Sequence, residues 1–227
     1  MFHVEHNKGN RGVSMLIEKS LREYIHEAAS GNPTPGGGSV SALAGSLGSA
    51  LTQMVGNLTF YKKSFEELEE ERQRELRENF QLLGSKLENL CSIVDEDSRA
   101  FDDVLKAFKM PKDTEEERKR RSQAIQEGYK KALEVPLRCA EECLEVLRLQ
   151  LPFAVDGNIN AITDVGVGAL LAYAGLEGAL MNVRINLLSI KDEGYREDIR
   201  DRIREILEEG KRLRDELLRI VYERLDG

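Results

Sequence analysis

Asp97 stands on a helical stripe that is otherwise apolar. Leu76, Phe80, Leu83, Leu87, Leu90, Val94, Asp97, Phe101, Val104 and Phe108 fall at alternating steps of four and three, the spacing of one core-facing seam of a long helix. Asp97 is the one charge on that seam, and its acidic neighbours Asp95 and Asp102 are expected to point off it into solvent. Burial disfavours the ionised form of a carboxyl group and raises its pKa, so such a group can hold and release a proton near neutral pH. General acid–base chemistry is one use of that property. Pairing with a core arginine, or capping a neighbouring helix, is the structural alternative.

A second chemical feature is the segment Asn32-Pro33-Thr34-Pro35-Gly36-Gly37-Gly38-Ser39. Prolines constrain the approach, and consecutive glycines permit φ > 0 and bring bare N–H groups close to a ligand. Ser39 is a fit N-cap for the helix that follows. Pro35, Gly36, Gly37, Gly38 and Ser39 are therefore candidates for cradling a carboxylate or a polar heterocycle at a helix N-terminus. No lysine follows the glycines and no strand precedes them, which excludes a P-loop and a dinucleotide turn. A tight interhelical connector is the alternative. A third group lies on one apolar helix. Asn160 and Asp164 open it, where an acid also suits the helix dipole. Asn182 and Asn186 share a face one turn apart, and buried amides need partners from protein or ligand.

Long helices must position these groups. An amphipathic helix is expected over 16–29, with Ile17, Leu21, Ile25 and Ala28 on one face. A helix over 39–59 carries Gly45 and Gly48 among small residues, within a stretch free of Asp, Glu, Lys and Arg from Ala28 to Tyr61. That stretch is long enough to span a bilayer, but its Ser, Thr, Gln, Asn and Gly content predicts burial inside protein. The Asp97 seam helix follows, ending near Pro111. A helix then starts after Thr114 with Glu115, Glu116 and Glu117 in its first turn, and Pro136 is expected to kink or split it. Pro152 and Gly157 mark a break. An almost wholly apolar helix covers about 160–189, and a last one covers about 192–225 with Gly210 on its seam, suggesting a close helix crossing. The predicted fold is all-α: a multihelical up-and-down bundle of six or seven helices, several of them long, around two buried, small-residue-rich central helices. Residues 15–227 are read as one domain and 1–14 as a disordered tail without a signal-peptide pattern.

The composition narrows the function classes. One third of the 227 residues are charged and the net charge is −8, which argues against a duplex nucleic-acid binder. The basic run Arg118 to Arg121 follows three glutamates and reads as a solvated, internally paired helix face. Cys91, Cys139 and Cys143 read as free thiols of a reducing cytoplasm. His3, His6 and His26 give no metal-binding spacing, so no metal site is expected. No membrane partner is expected either.

Taken together, PTPGGGSVSALAGSLGSALTQMV, VDEDSRAF, KMPKDTEEERKRR, EVPL and GNINAITDVGVGALLA-GALMNVRINL resemble the formiminotetrahydrofolate cyclodeaminase / methenyltetrahydrofolate cyclohydrolase family. The resemblance runs from Leu16 to Leu225. It implies an all-helical, dimeric folate enzyme, here a stand-alone member. It places the catalytic carboxylate at Asp97, where the seam argument arrived independently. It also implies that the glycine loop lines the folate pocket, with Asp164 and the asparagines across from it. Thr163 and Gly168 depart from residues common in the family without removing a functional group. The expected reaction converts 5-formiminotetrahydrofolate to 5,10-methenyltetrahydrofolate and ammonia, with cyclohydrolase activity as the alternative and a non-catalytic folate- or protein-binding helical dimer as a further one. No cofactor beyond the tetrahydrofolate substrate is expected.

Overall fold

The computed structural model describes residues 15–227; the expected tail over 1–14 lies outside the described residues. A short 3-10 turn, Leu16–Glu18, precedes α1 (Leu21–Ala28), α2 (Gly37–Thr59), α3 (Lys63–Glu66), α4 (Glu70–Arg99), α5 (Asp102–Phe108), α6 (Glu115–Asp156), α7 (Ile162–Leu187) and α8 (Glu193–Asp226). Among the described residues there is no strand. The all-α bundle and its two central helices, α2 and α7, are as the sequence predicts.

α2 and α7 run antiparallel in near backbone contact, because small residues face each other along both. A Cβ on Gly48 would stand 2.7 Å from the Gly168 carbonyl oxygen, and one on Gly175 would stand 2.7 Å from the Ser41 carbonyl oxygen. No side chain fits at either crossing. The hydroxyls of the charge-free helix are satisfied locally: Thr52 donates to the Gly48 carbonyl at 3.0 Å and Thr59 to that of Val55 at 2.7 Å. Others stitch neighbours together. Ser49 donates to the Leu83 carbonyl of α4 at 2.8 Å, and the Gln150 amide of α6 donates to Thr52 Oγ1 at 2.8 Å. A helix of this composition is stable inside protein because each polar group finds a partner. α7 is long and apolar enough to cross a membrane by length and composition, yet it packs against α2, α6 and α8. Gly210 of α8 makes the expected close crossing, since a Cβ there would meet Leu176 Cδ1 at 2.7 Å.

Four expectations need correction. The seam helix does not reach Phe108. It ends at Arg99, and α5 restarts at Asp102, leaving Phe101 and Phe108 largely exposed. α6 continues for 42 residues through both Pro136 and Pro152. Both prolines are buried, so tertiary packing offsets the hydrogen bond each removes. The first helix is shorter than expected and buries Tyr24 rather than Leu21 or Ile25, which are exposed. Asp95 is buried, not solvated: its carboxylate accepts from the backbone N–H groups of Leu16 at 2.6 Å and Ile17 at 3.3 Å, pinning the start of the domain to α4. The Thr114 cap is as expected, with a reciprocal bond to Glu117, and the basic run after it pairs locally, Arg120 with Glu116.

Candidate active site

The end of α4 meets the beginning of α2, and Asp97 lies at that junction. α2 starts at Gly37 with Gly36 as N-cap and no capping side chain. This moves the helix start two residues ahead of the expected Ser39 cap, and Ser39 becomes a fully buried first-turn residue. The missing cap is supplied from α4, where the Asp97 carboxylate lies beside the Ser39 backbone N–H, which favours its charged form. The two dipoles oppose each other there: the end of α4 disfavours an anion and the start of α2 favours one. Burial is the largest influence and pushes the Asp97 carboxyl above its ordinary value, while the Ser39 N–H pulls it part of the way back. Proton holding and helix capping are thus properties of the same group.

The glycines act through closeness rather than unusual dihedrals. Among the described residues only the terminal Gly227 has φ in the left-handed region, so the expected φ > 0 in the loop is not adopted. A Cβ on Gly38 would overlap the Asp97 carboxylate, standing 2.6 Å from Oδ2, and a Cβ on Gly37 would stand 3.2 Å from Asn182 Nδ2. The first turn of α2 is therefore a strip of bare backbone between a carboxylate and an amide. Asn182 donates to the Gly178 carbonyl at 2.9 Å, leaving its carbonyl oxygen as an acceptor. Asn186 is buried one turn further along α7. Pro35, buried in front of the strip, follows a cis peptide bond from Thr34.

Tyr24 joins this group, and the sequence reading did not single it out. Its hydroxyl lies 2.9 Å from Ser39 Oγ. Burial raises its pKa, and the negative charges of Asp97 and Asp95 raise it further. The only signal in the sequence was an aromatic on a short polar helix, which is too common to stand out. On the other side of the loop, Lys19, Glu27, Asn32, Thr34, Asp95 and Arg99 line a cavity of about 700 Å³.

The structure does not bring Asn160 and Asp164 to this place. Asp164 and Asn182 are separated by 18 residues of α7, about 27 Å at 1.5 Å per residue. At that far end, Asn158 ties the α6–α7 connection to the end of α2. Its amide donates to the Leu58 carbonyl at 3.1 Å, its N–H donates to Thr59 Oγ1 at 2.9 Å, and its side-chain oxygen accepts from the Asn160 N–H at 3.1 Å. Within one chain, then, Asn160 lies in a short 3-10 turn, Ile159–Ala161, and Asp164 lies in the first turn of α7, favourable for its dipole. Among the described residues no group of three His, Cys, Asp or Glu side chains is placed to hold a metal.

Known proteins resemble this chain in sequence and fold. The family profile described as formiminotransferase-cyclodeaminase matches residues 20–205. A methenyltetrahydrofolate cyclohydrolase from Methylorubrum extorquens is 36% identical over 212 residues, covering 93% of this chain and 100% of that protein. A formimidoyltransferase-cyclodeaminase from Sus scrofa is 39% identical over 196 residues, covering 86% of this chain but 36% of the longer relative. The crystal structure of formiminotetrahydrofolate cyclodeaminase from Thermotoga maritima superimposes with a TM-score of 0.74 at 29% identity, covering 92% of this chain and 97% of that one. On the profile match and the full-length relatives, the chain belongs to the formiminotransferase-cyclodeaminase family of folate one-carbon proteins.

Proposed function

We propose that this protein is a formiminotetrahydrofolate cyclodeaminase, closing 5-formiminotetrahydrofolate to 5,10-methenyltetrahydrofolate with release of ammonia. The observation that supports it best is the half-buried Asp97 carboxyl, its pKa raised by burial, packed against the bare backbone of Gly38 at the start of α2. In this reading N10 of the folate attacks the formimino carbon and forms the five-membered ring. Asp97 takes the proton from N10 and delivers it to the departing nitrogen, which leaves as ammonia. Proton transfer of this kind is typically worth about 10²–10⁴-fold. The product bridge is cationic, and the adjacent carboxylate offsets that charge. Pro35 and Gly36 to Ser39 supply the wall beside the reacting atoms, and the Asn182 and Asn186 amides offer acceptors and donors to the pterin edge. The chemistry needs no redox or metal cofactor; the folate is itself the carrier.

Cyclohydrolase activity is the second reading, favoured by the Methylorubrum relative of the same extent. Water would attack the methenyl carbon, with Asp97 accepting its proton, and the carbon–N5 bond would then break as N5 takes a proton, giving 10-formyltetrahydrofolate. The deciding experiment supplies 5-formiminotetrahydrofolate and follows ammonia and methenyl absorbance together, and in parallel supplies methenyltetrahydrofolate and follows its loss. Ammonia released in step with methenyl formation supports cyclodeamination. Fast methenyl loss without ammonia assigns the protein to the cyclohydrolases. Neither reaction above background leaves a folate-binding protein.

The same reading includes a homodimer. Val40, Leu47 and Met54 stand seven residues apart on the outer face of α2, all partly exposed, and Val167, Leu170, Met181 and Ile185 continue an apolar face on α7. A face of that extent is suited to a second copy, with neither membrane nor nucleic acid as partner. The free thiols of Cys91, Cys139 and Cys143 suit the reducing cytoplasm proposed as its location.

A further inference from the structure

α1 is too short to persist by itself. It has eight residues, Leu21–Ala28, where isolated helices need about 12–15. Contact with the rest of the chain must hold it, yet it brings one side chain to the interior. Tyr24 is buried, whereas Leu21 and Ile25 are 71% and 63% exposed. A helix that served only to cover the core would bury its aliphatic residues. The contact that Tyr24 makes is polar: its hydroxyl lies 2.9 Å from the Oγ of the fully buried Ser39.

Ser39 differs from the other hydroxyl residues of α2. Ser41, Thr52 and Thr59 donate to carbonyls four residues back, Ser46 to one three residues back, and Ser49 to a carbonyl of α4. Among the described residues, the Ser39 hydroxyl meets a side chain instead, on α1. The backbone N–H of the same residue lies beside the Asp97 carboxyl. A line of contacts thus runs from α1 through Ser39 to the end of α4. It closes on itself, because Asp95, two residues before Asp97, accepts from Leu16 and Ile17 just ahead of α1.

The charges around Asp97 are engaged elsewhere. α2 carries no charged side chain. Glu96 pairs with Arg138 of α6, and Lys19 with Glu27. Arg99 is exposed and directs its Nε to the Asp95 carbonyl at 3.4 Å. A half-buried carboxyl without a counter-ion takes its orientation from the donors that reach it.

We propose that Tyr24 is a positioning residue of the Asp97 site: through the Ser39 hydroxyl it holds the first turn of α2, and with it the Ser39 N–H, against the carboxyl. The function of α1 is then to deliver one phenol. Tyr24 itself transfers no proton. Burial raises its pKa and the negative charges of Asp97 and Asp95 raise it further, so the phenol stays neutral while Asp97 titrates. The consequence for turnover rests on the cyclodeaminase function proposed above; the consequence for the carboxyl does not.

The test is a carbon-13 NMR titration of the Asp97 carboxyl in wild type, Tyr24→Phe, Ser39→Ala, the double variant and Ser49→Ala, with Asp97→Asn assigning the resonance. The Ser39 N–H favours the charged form of Asp97, so its misalignment should move the midpoint further up in Tyr24→Phe and in Ser39→Ala. The double variant should move no further than either. Ser49→Ala removes a buried hydroxyl of the same helix away from the site and should leave the midpoint at its wild-type value. An unmoved midpoint in Tyr24→Phe, with only a lower urea midpoint, would make Tyr24 a packing residue and overturn the proposal. An equal shift in Ser49→Ala would mean general loosening and also overturn it. Kinetics give a second readout: kcat in Tyr24→Phe should fall about tenfold at unchanged KM, as for a displaced catalytic group. A raised KM at unchanged kcat would make the phenol a substrate contact, and a loss as large as that of Asp97→Asn would make it a proton carrier; either result overturns the positioning role. Wild type inactive on both folates would remove the cyclodeaminase reading alone, and the titration would still decide the role of Tyr24.

Discussion

Gly38→Ala isolates the contact on which the site is built. A glycine inside a helix is ordinarily replaced by alanine with a gain of roughly 0.5–1 kcal/mol. Gly38 lies in the first turn of α2 without a left-handed φ, so propensity alone predicts that gain. The new Cβ, however, overlaps the Asp97 carboxylate and lies 2.6 Å from its Oδ2. The short aspartate side chain must rotate away, and the buried Ser39 N–H then loses its acceptor, at about 1–3 kcal/mol. The net expectation is a loss of about 1 kcal/mol in urea unfolding, together with loss of turnover because the carboxylate no longer faces the substrate. Combining it with Asp97→Ala reverses the sign. With the carboxylate removed, the three nearest atoms to the new Cβ are gone, and Gly38→Ala should stabilise by its helix propensity. The coupling between the two positions should reach about 1–3 kcal/mol. Gly37→Ala is the internal control, since its Cβ meets the movable Asn182 amide at 3.2 Å and should be close to neutral in stability. An equal effect of Gly38→Ala in both backgrounds would refute the contact.

Asp97→Asn keeps an acceptor for the Ser39 N–H while removing the titrating proton, so turnover should fall about 10²-fold or more with the fold intact. The pKa of Asp97 is raised in the folded state above its ordinary 3.8, so the folded protein holds that proton more tightly than the unfolded chain. Wild type should therefore lose stability relative to Asp97→Asn as pH rises through the window between those two values, and level off above it. A pH-independent difference in urea midpoints would contradict the raised pKa. Tyr24→Phe removes the partner of a buried Ser39 hydroxyl and should cost about 1 kcal/mol, with a smaller fall in kcat than Asp97→Asn; a loss as large as that of Asp97→Asn would make the tyrosine the principal proton carrier. Leu47→Glu places a charge in the middle of the apolar stripe of α2 and should convert the proposed dimer to a monomer by light scattering. A dimer unchanged by it would move the interface elsewhere.

The α2–α7 core was legible because its signal is compositional. A stretch without charge between Ala28 and Tyr61, studded with glycine and hydroxyl residues, has few stable destinations other than a helix pressed against another backbone. The breaks were less legible, because they depend on what lies opposite. The periodicity of the Asp97 seam continues to Phe108, yet α4 stops at Arg99. Pro136 and Pro152 are breakers by propensity, yet α6 runs through them, since its packed faces outweigh the local cost. Asp95 shows the same limit: its position off the seam predicted solvent, and the chain before α1 folded back to bury it.

For the site, a sequence pattern identifies a residue's type of environment but not which end of a helix faces which. Asp164, Asn182 and Asn186 lie on α7 and Asn160 in the turn just before it, and only antiparallel packing of α7 on α2 separates Asn160 and Asp164 from the glycine strip. The same geometry changes what Asp97 is. On the seam alone, Asp97→Leu completes an apolar stripe and should be harmless to stability. In the folded protein the carboxylate is also the cap of α2, so leucine leaves the Ser39 N–H buried without a partner, while asparagine does not. The structural and catalytic readings of Asp97 are therefore not rivals. A cap beside a backbone N–H holds the carboxylate in one position, and the burial that accompanies capping raises its pKa. Separating the two properties requires the asparagine variant, which retains the first and lacks the second.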